Sequence, residues 1–206
     1  MPADDRRPGE KRHAPATARN ADAIIAELHD VLPEAGSVLE IASGSGEHVV
    51  AFARALPALA LQPSDPDLRA LASIAAWRAE AGLPNILAPI ALDAAAAAWP
   101  VERADAILAI NMVHISPWEA TLGLLDGAAR ILPPGAPLYL YGAYLRDDAS
   151  TAPSNLAFDQ SLRARDPRWG IRRLEDVVAQ AAMRGLSLGK VVEMPANNLS
   201  VVFARD

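Results

Sequence analysis

Glu40-Ile41-Ala42-Ser43-Gly44-Ser45-Gly46-Glu47-His48 joins an acid, a run of small residues and a helix start. Glu40 lies near the end of an apolar run, and two glycines follow. With few side chains in the way, a ligand can approach such a turn's backbone. The helix beyond it presents unpaired N–H groups. Three later apolar runs also end in polar residues, at Asp65, Asp93 and Asn111. An acid in such a place is ordinarily a cap for the next helix. Four such polar groups around one glycine turn, Asn111 among them, make a binding cleft. His114, three positions after Asn111, has a side chain whose unperturbed pKa lies near neutrality.

The ligand that suits these groups is narrowed by what is missing. A dinucleotide turn needs a third glycine in G-x-G-x-x-G, and that place holds Val49 counted from Gly44, or Glu47 counted from Ala42. Glu47 would also oppose a pyrophosphate at the helix start. No lysine follows the glycines, so the phosphate-cradling loop of nucleotide hydrolases is absent. S-adenosylmethionine carries no phosphate. Glu40 suits its ammonium, turn N–H groups its carboxylate, and Asp93 its adenine amine. Asp65 lies 19 residues beyond Gly46, near the spacing of an acid that binds ribose hydroxyls.

Alternating strands and helices must position these groups. Apolar spacing predicts helices at 21–32, from 47 to Leu56, at 66–81, 118–132, 155–165 and 171–183, with a short helical piece at 94–98. Asn20 reads as the cap of the first and Asp65 as the cap of the third. Strands are expected at 37–42, 59–62, 86–92, 104–111 and 137–144, then at 190–193 and 199–203. The short connection at 195–198 makes the last pair antiparallel. The expected fold is α/β: a Rossmann-like, seven-stranded sheet with five or more parallel strands, an antiparallel C-terminal hairpin and helices on both faces. Ligands in such sheets bind beyond the carboxyl ends of the strands.

Residues 40–46 resemble motif I of class I S-adenosylmethionine-dependent methyltransferases, (D/E)-x-G-x-G-x-G, with Ala42 in place of the first glycine. The runs 39–48, 62–65, 110–115, 151–155, 158–163 and 194–199 are similar to the methyltransferase-like 26 family, a domain of unknown function. This resemblance implies the fold and the cofactor, with Glu40, Ala42, Ser43, Gly44, Ser45, Gly46, His48, Asp65, Asp93 and Asn111 around it. It names no substrate. The (N/D/S)-P-P-(Y/F) motif of nucleic-acid base methyltransferases is replaced here by Asn111-Met112-Val113-His114, which disfavours base methylation.

His114 is the candidate general base, its duller alternative being a hydrogen bond to loop backbone. Asn20, Tyr141, Ser154, Asn155 and Arg163 are candidate substrate contacts. Each has a structural alternative: helix capping for Asn20, core filling for Tyr141, and a self-satisfied loop with Arg163 paired to Asp159 or Asp166. No metal is expected.

Of the 206 residues 51% are hydrophobic, the formal net charge is −6 and there are no cysteines. The charge argues against nucleic acid as partner. Thiolate chemistry and disulfides are excluded. No apolar run approaches the roughly 20 residues of a membrane span, so a cytoplasmic protein is expected. Residues 1–18 have no helical or strand period and read as a flexible tail. Residues 19–206 read as one domain with a lid-like loop at 146–170. The first reading is thus a methyltransferase acting on a small molecule. Its alternatives are a non-catalytic binder of the same cofactor, a protein or RNA methyltransferase, and a nicotinamide oxidoreductase. The oligomeric state is left open.

Overall fold

The computed structural model describes residues 11–206. In chain order the elements are α1 (Thr17–Val31), β1 (Gly36–Ile41), α2 (Glu47–Ala55), β2 (Leu59–Asp65), α3 (Leu68–Ala81), β3 (Ile90–Ala91) and β4 (Ala106–Ile110). Then follow α4 (Trp118–Ile131), β5 (Pro137–Gly142), β6 (Tyr144–Leu145), α5 (Pro153–Arg165), β7 (Arg172–Arg173), α6 (Leu174–Ala182), β8 (Leu186–Met194) and β9 (Asn198–Arg205).

Seven strands form one sheet in the order β3-β2-β1-β4-β5-β9-β8, and β6 pairs with β7 apart from it. The pairs from β3 to β5 are parallel, while β9 runs antiparallel to both β5 and β8. The chain reverses its direction across the sheet between β1 and β4, and a crevice opens there beyond the strand ends.

Alternation along the strands feeds two cores, one on each face. Leu39, Ile107, Leu138 and Leu140 pack with Leu124, Leu125 and Val177 of α4 and α6. Val38, Leu108, Tyr139 and Tyr141 pack on the other face with Ile24, Phe52 and Ile74 of α1, α2 and α3. Burial on both faces is what near-continuous apolar strands require.

Several boundaries differ from the sequence expectation. The strand expected at 86–92 shrinks to Ile90–Ala91, with one bridge from Ile86 to Leu61. Pro89 offers no N–H to a ladder, so pairing breaks there; Gln62 Nε2 donates to the neighbouring Ala88 carbonyl at 2.7 Å. The helical piece expected at 94–98 is irregular. Its backbone presses on α4 so closely that a Cβ on Gly123 would meet Ala94 O at 2.2 Å. Asn20 lies inside α1, buried, and caps nothing. The cap of α3 is Asp67, which accepts from Arg69 N at 2.9 Å, not Asp65.

Residues 1–10 of the expected tail lie outside the described residues. Residues 11–16 are attached to the domain: Arg12 N donates to Ser73 Oγ at 2.7 Å, and Trp77 Nε1 donates to Arg12 O at 3.0 Å. The loop expected at 146–170 contains α5, close to the helical piece expected inside it. Among the described residues no helix is long and apolar enough to cross a membrane.

Candidate active site

A cavity of about 890 Å³ opens beyond the carboxyl ends of β1, β2 and β4. Its size fits a small-molecule site. Glu40, Ala42, Ser43, Gly44, Ser45, His48, Asp65, Asp93 and Asn111 all line it. Gly46 is the one cofactor candidate outside the lining.

The glycine turn is held from within. Ala42, Gly44 and Gly46 take φ of +56°, +60° and +92°. Gly46 has a second reason to lack a side chain, since a Cβ there would lie 2.8 Å from Ile74 Cα in α3. Ser43 N donates to Ser64 O at 2.8 Å, Gly46 N to Ser43 O at 3.1 Å and Gly44 N to Asp65 Oδ2 at 2.9 Å. These three N–H groups are therefore spent inside the protein, contrary to the expectation that they face the ligand. What the turn offers is close approach.

Glu40 is 3% exposed, and its Oε2 has no hydrogen-bond partner among the described residues. Burial, opposed by a hydrogen bond from Ser43 and reinforced by nearby Asp65, pushes its pKa up to about 7. A buried carboxylate in this state is costly until a cation arrives. Asp65 also titrates higher than an ordinary carboxylate because it is buried. Its Oδ1 accepts from Asp67 N and its Oδ2 from Gly44 N, both at 2.9 Å. A carboxylate has about four lone-pair sites, so each oxygen keeps room for a hydroxyl. Asp93 is exposed on the rim and bonds Ala95 N at 2.9 Å.

His48 faces α1, where its Nε2 meets Asn20 Oδ1 at 2.9 Å. Burial drops its pKa to about 4, so the ring is neutral. Asn111 sits at φ +60° and turns the chain into a single 3₁₀ turn, Met112–His114. That turn sends Met112 and Ile115 to the cavity and His114 away from it.

His114 is 1% exposed and does not line the cavity. Its ring lies against Gly142, where a Cβ would come within 2.6 Å of Cε1, and edge-on to Phe158 of α5 at 5.3 Å. Neither ring nitrogen has a partner among the described residues. Burial, then the nearby charge of Arg172, lowers its pKa to about 4.

The five substrate candidates also stand outside the cavity lining. Asn20 is engaged with His48. Tyr141 is 2% exposed beneath the side chains of Asn20 and Asn198. Ser154 Oγ accepts from Asn197 Nδ2 at 3.2 Å, and Asn155 Nδ2 donates to Asn197 O at 3.0 Å. Asn155 lines a separate cavity of about 180 Å³ near the β8–β9 connection. Arg163 pairs with Asp159 at 2.7 Å, so the self-satisfied alternative holds for that residue.

Sequence reasoning missed two walls of the cavity. One is Arg12, Ala14 and Thr17, just before and at the start of α1. The other is Arg165, Asp166, Arg168 and Trp169, just after α5. Neither stretch has an apolar period that would mark it in the sequence.

Several solved structures similar to this chain are methyltransferases. The S-adenosylmethionine-dependent methyltransferase SibL, in its apo form, is 25% identical with a TM-score of 0.75, the match covering 92% of this chain and 55% of that one. An O-methyltransferase family protein from Burkholderia thailandensis is 17% identical with a TM-score of 0.77, covering 93% and 57%. CalO1, a methyltransferase in calicheamicin biosynthesis in its SAH-bound form, is 18% identical with a TM-score of 0.74, covering 93% and 55%. The chain thus spans about half the length of these structures and shares the class I S-adenosylmethionine-dependent methyltransferase fold with them. A family model, protein of unknown function (DUF938), matches residues 11–205. With nearly the whole described chain matched, the protein belongs to the DUF938 family.

Proposed function

We propose that this protein is a cytoplasmic S-adenosylmethionine-dependent methyltransferase acting on a small molecule. The observation that carries the reading is Glu40 Oε2, a buried and unpartnered carboxylate oxygen on a residue that lines a cavity large enough for the cofactor. An ammonium group there would satisfy it and restore its charge. Asp65 retains acceptor sites for ribose hydroxyls, and Asp93 on the rim offers one for an adenine amine. The likeness of six sequence runs to the methyltransferase-like 26 family supports the same reading, as does the SAH-bound neighbour.

When bound, the cofactor supplies an electrophilic methyl group on a sulfonium. The protein's part is to hold the acceptor in line and to take its proton. Asn111 lines the cavity where β4 ends, on the side from which an acceptor would come. His114 lies just beyond it, with a neutral ring whose one unprotonated nitrogen is the atom that could take a proton. In this structure the ring is buried against Gly142 and Phe158, outside the cavity lining. That sealed position also favours a second reading, a non-catalytic protein that binds the cofactor. Calorimetry with S-adenosylmethionine and S-adenosylhomocysteine tests the cofactor site, and turnover against pooled hydroxyl and amine acceptors separates the two readings. Binding with turnover supports the enzyme, binding without turnover the second reading, and no binding contradicts both.

A further inference from the structure

The strand-end carboxylates gather on one side of the cavity, where the lining's Arg12 is already paired with Asp67 at 3.2 Å. Glu40, Asp65 and Asp93 lie at or just beyond the ends of β1, β2 and β3. The opposite wall, from Arg165 to Trp169, is tied to the stretch after β4: Gly170 N donates to His114 O at 3.1 Å and Arg172 Nη2 to Ser116 O at 2.7 Å. On this wall Arg168 is already paired with Asp166 at 2.7 Å. Glu119, a second carboxylate on that side, acts on Arg168 and Arg172. Arg165 has no ion-pair partner among the described residues. Its guanidinium lies 4.9 Å from the Trp169 ring centroid.

We infer that Arg165 and Trp169 form the acceptor subsite, and that the acceptor is a planar aromatic carboxylic acid. The inference rests on the proposed function, because it places the acceptor opposite the end assigned to the cofactor. Trp169, half-buried against Leu162 and Ile171 with Arg165 over its ring, offers an aromatic ring only the apolar surface it leaves on the cavity. A guanidinium presents a planar fork that matches a carboxylate, and its contact with the indole orients it beforehand. The carboxylates of β1, β2 and β3 repel an anion and favour the cofactor's cationic groups instead. An aromatic anion is therefore steered to the β4 side, next to Asn111.

Three probes test this on the full chain: 4-hydroxybenzoate, phenol as a ring without the anion, and acetate as an anion without the ring. Calorimetry should find 4-hydroxybenzoate bound at least tenfold more tightly than either of the others. Arg165→Ala and Trp169→Ala should each weaken it about tenfold or more, with Arg165→Lys and Trp169→Phe recovering part of the loss. S-adenosylhomocysteine affinity, measured separately, should be the same in all variants. Equal affinity for the three probes, or undiminished 4-hydroxybenzoate binding in both alanine variants, overturns the subsite. Failure of the wild-type protein to bind S-adenosylhomocysteine contradicts the cofactor reading instead. The probe comparison is then made on the protein alone and still decides the subsite.

Discussion

The backbone N–H of Gly44 donates to Asp65 Oδ2 at 2.9 Å, joining the glycine turn after β1 to the acid that ends β2. The other oxygen of Asp65 accepts from Asp67 N, just before α3. One carboxylate thus fixes the turn, steadies the approach to α3 and faces the cavity. Asp65→Ala should lower cofactor affinity at least tenfold. It should also cost about 1–3 kcal/mol of stability, because two N–H groups lose their acceptor. Urea denaturation and calorimetry on the same sample check both effects; a variant as stable as wild type would mean that the turn is held by its other bonds.

Ala42 occupies the left-handed region at φ +56°, where glycine is at ease and alanine is strained. Ala42→Gly should raise stability by about 1 kcal/mol and leave cofactor affinity nearly unchanged. The departure of this turn from the methyltransferase pattern is then a small local strain and leaves the site competent. A fall in the denaturation midpoint would contradict that.

Gly46 is restricted twice over, by φ +92° and by Ile74 Cα at 2.8 Å from where a Cβ would stand. Gly46→Ala should destabilise by about 3 kcal/mol, combining left-handed strain with overpacking between α2 and α3. The midpoint of chemical denaturation reads this directly. Gly82 also has positive φ but open space around it, so Gly82→Ala is the control and should cost less.

Glu40 makes stability and binding depend on pH in opposite directions. Its pKa rises from 4.5 to about 7 on folding, so the folded state holds its proton more tightly. Below pH 4.5 the group has no effect. From 4.5 to 7 stability falls as pH rises, by about 3 kcal/mol in total. Glu40→Gln should therefore be more stable than wild type at pH 8, with the two converging below pH 4.5. Binding of a cationic ligand to wild type should strengthen between pH 6 and 8. Parallel stability curves for the two proteins would show that Glu40 does not titrate in this way.

His114 should act on the acid side. Its folded pKa of about 4 lies below the unfolded 6.5. Its contribution is complete above pH 6.5 and is lost as pH falls toward 4, by about 3 kcal/mol. His114→Leu should flatten that limb relative to wild type. The comparison between variants matters because Glu40 pulls the other way between 4.5 and 6.5. If His114 also takes the acceptor's proton, His114→Gln should lower kcat by about 10²-fold or more while S-adenosylhomocysteine affinity stays unchanged.

Much of the sheet was legible because its signals are local. Alternating apolar residues and strand-ending acids need only the chain around them, so Glu40, Asp65, Asp93 and Asn111 were found where they meet. Pro89 hid the shortness of β3, since an apolar run reads as a strand until ladder donors are counted. Asn20 reads as a cap by type, but its amide is taken by His48 from another helix. Ser154 and Asn155 look like ligand contacts in sequence and instead bond Asn197, 43 and 42 residues along the chain. Arg12, Arg165 and Trp169 carried no periodic signal, because their place on the cavity depends on how distant segments pack.

The most direct test is a calorimetric titration of S-adenosylmethionine into wild type and Glu40→Gln at pH 8, with folding of both confirmed by circular dichroism. Wild type should bind at one site with micromolar affinity, and the variant at least tenfold more weakly despite its greater stability. No heat of binding in folded wild type at high micromolar ligand, or equal affinity in the two proteins, would contradict the assignment of this cavity to the cofactor.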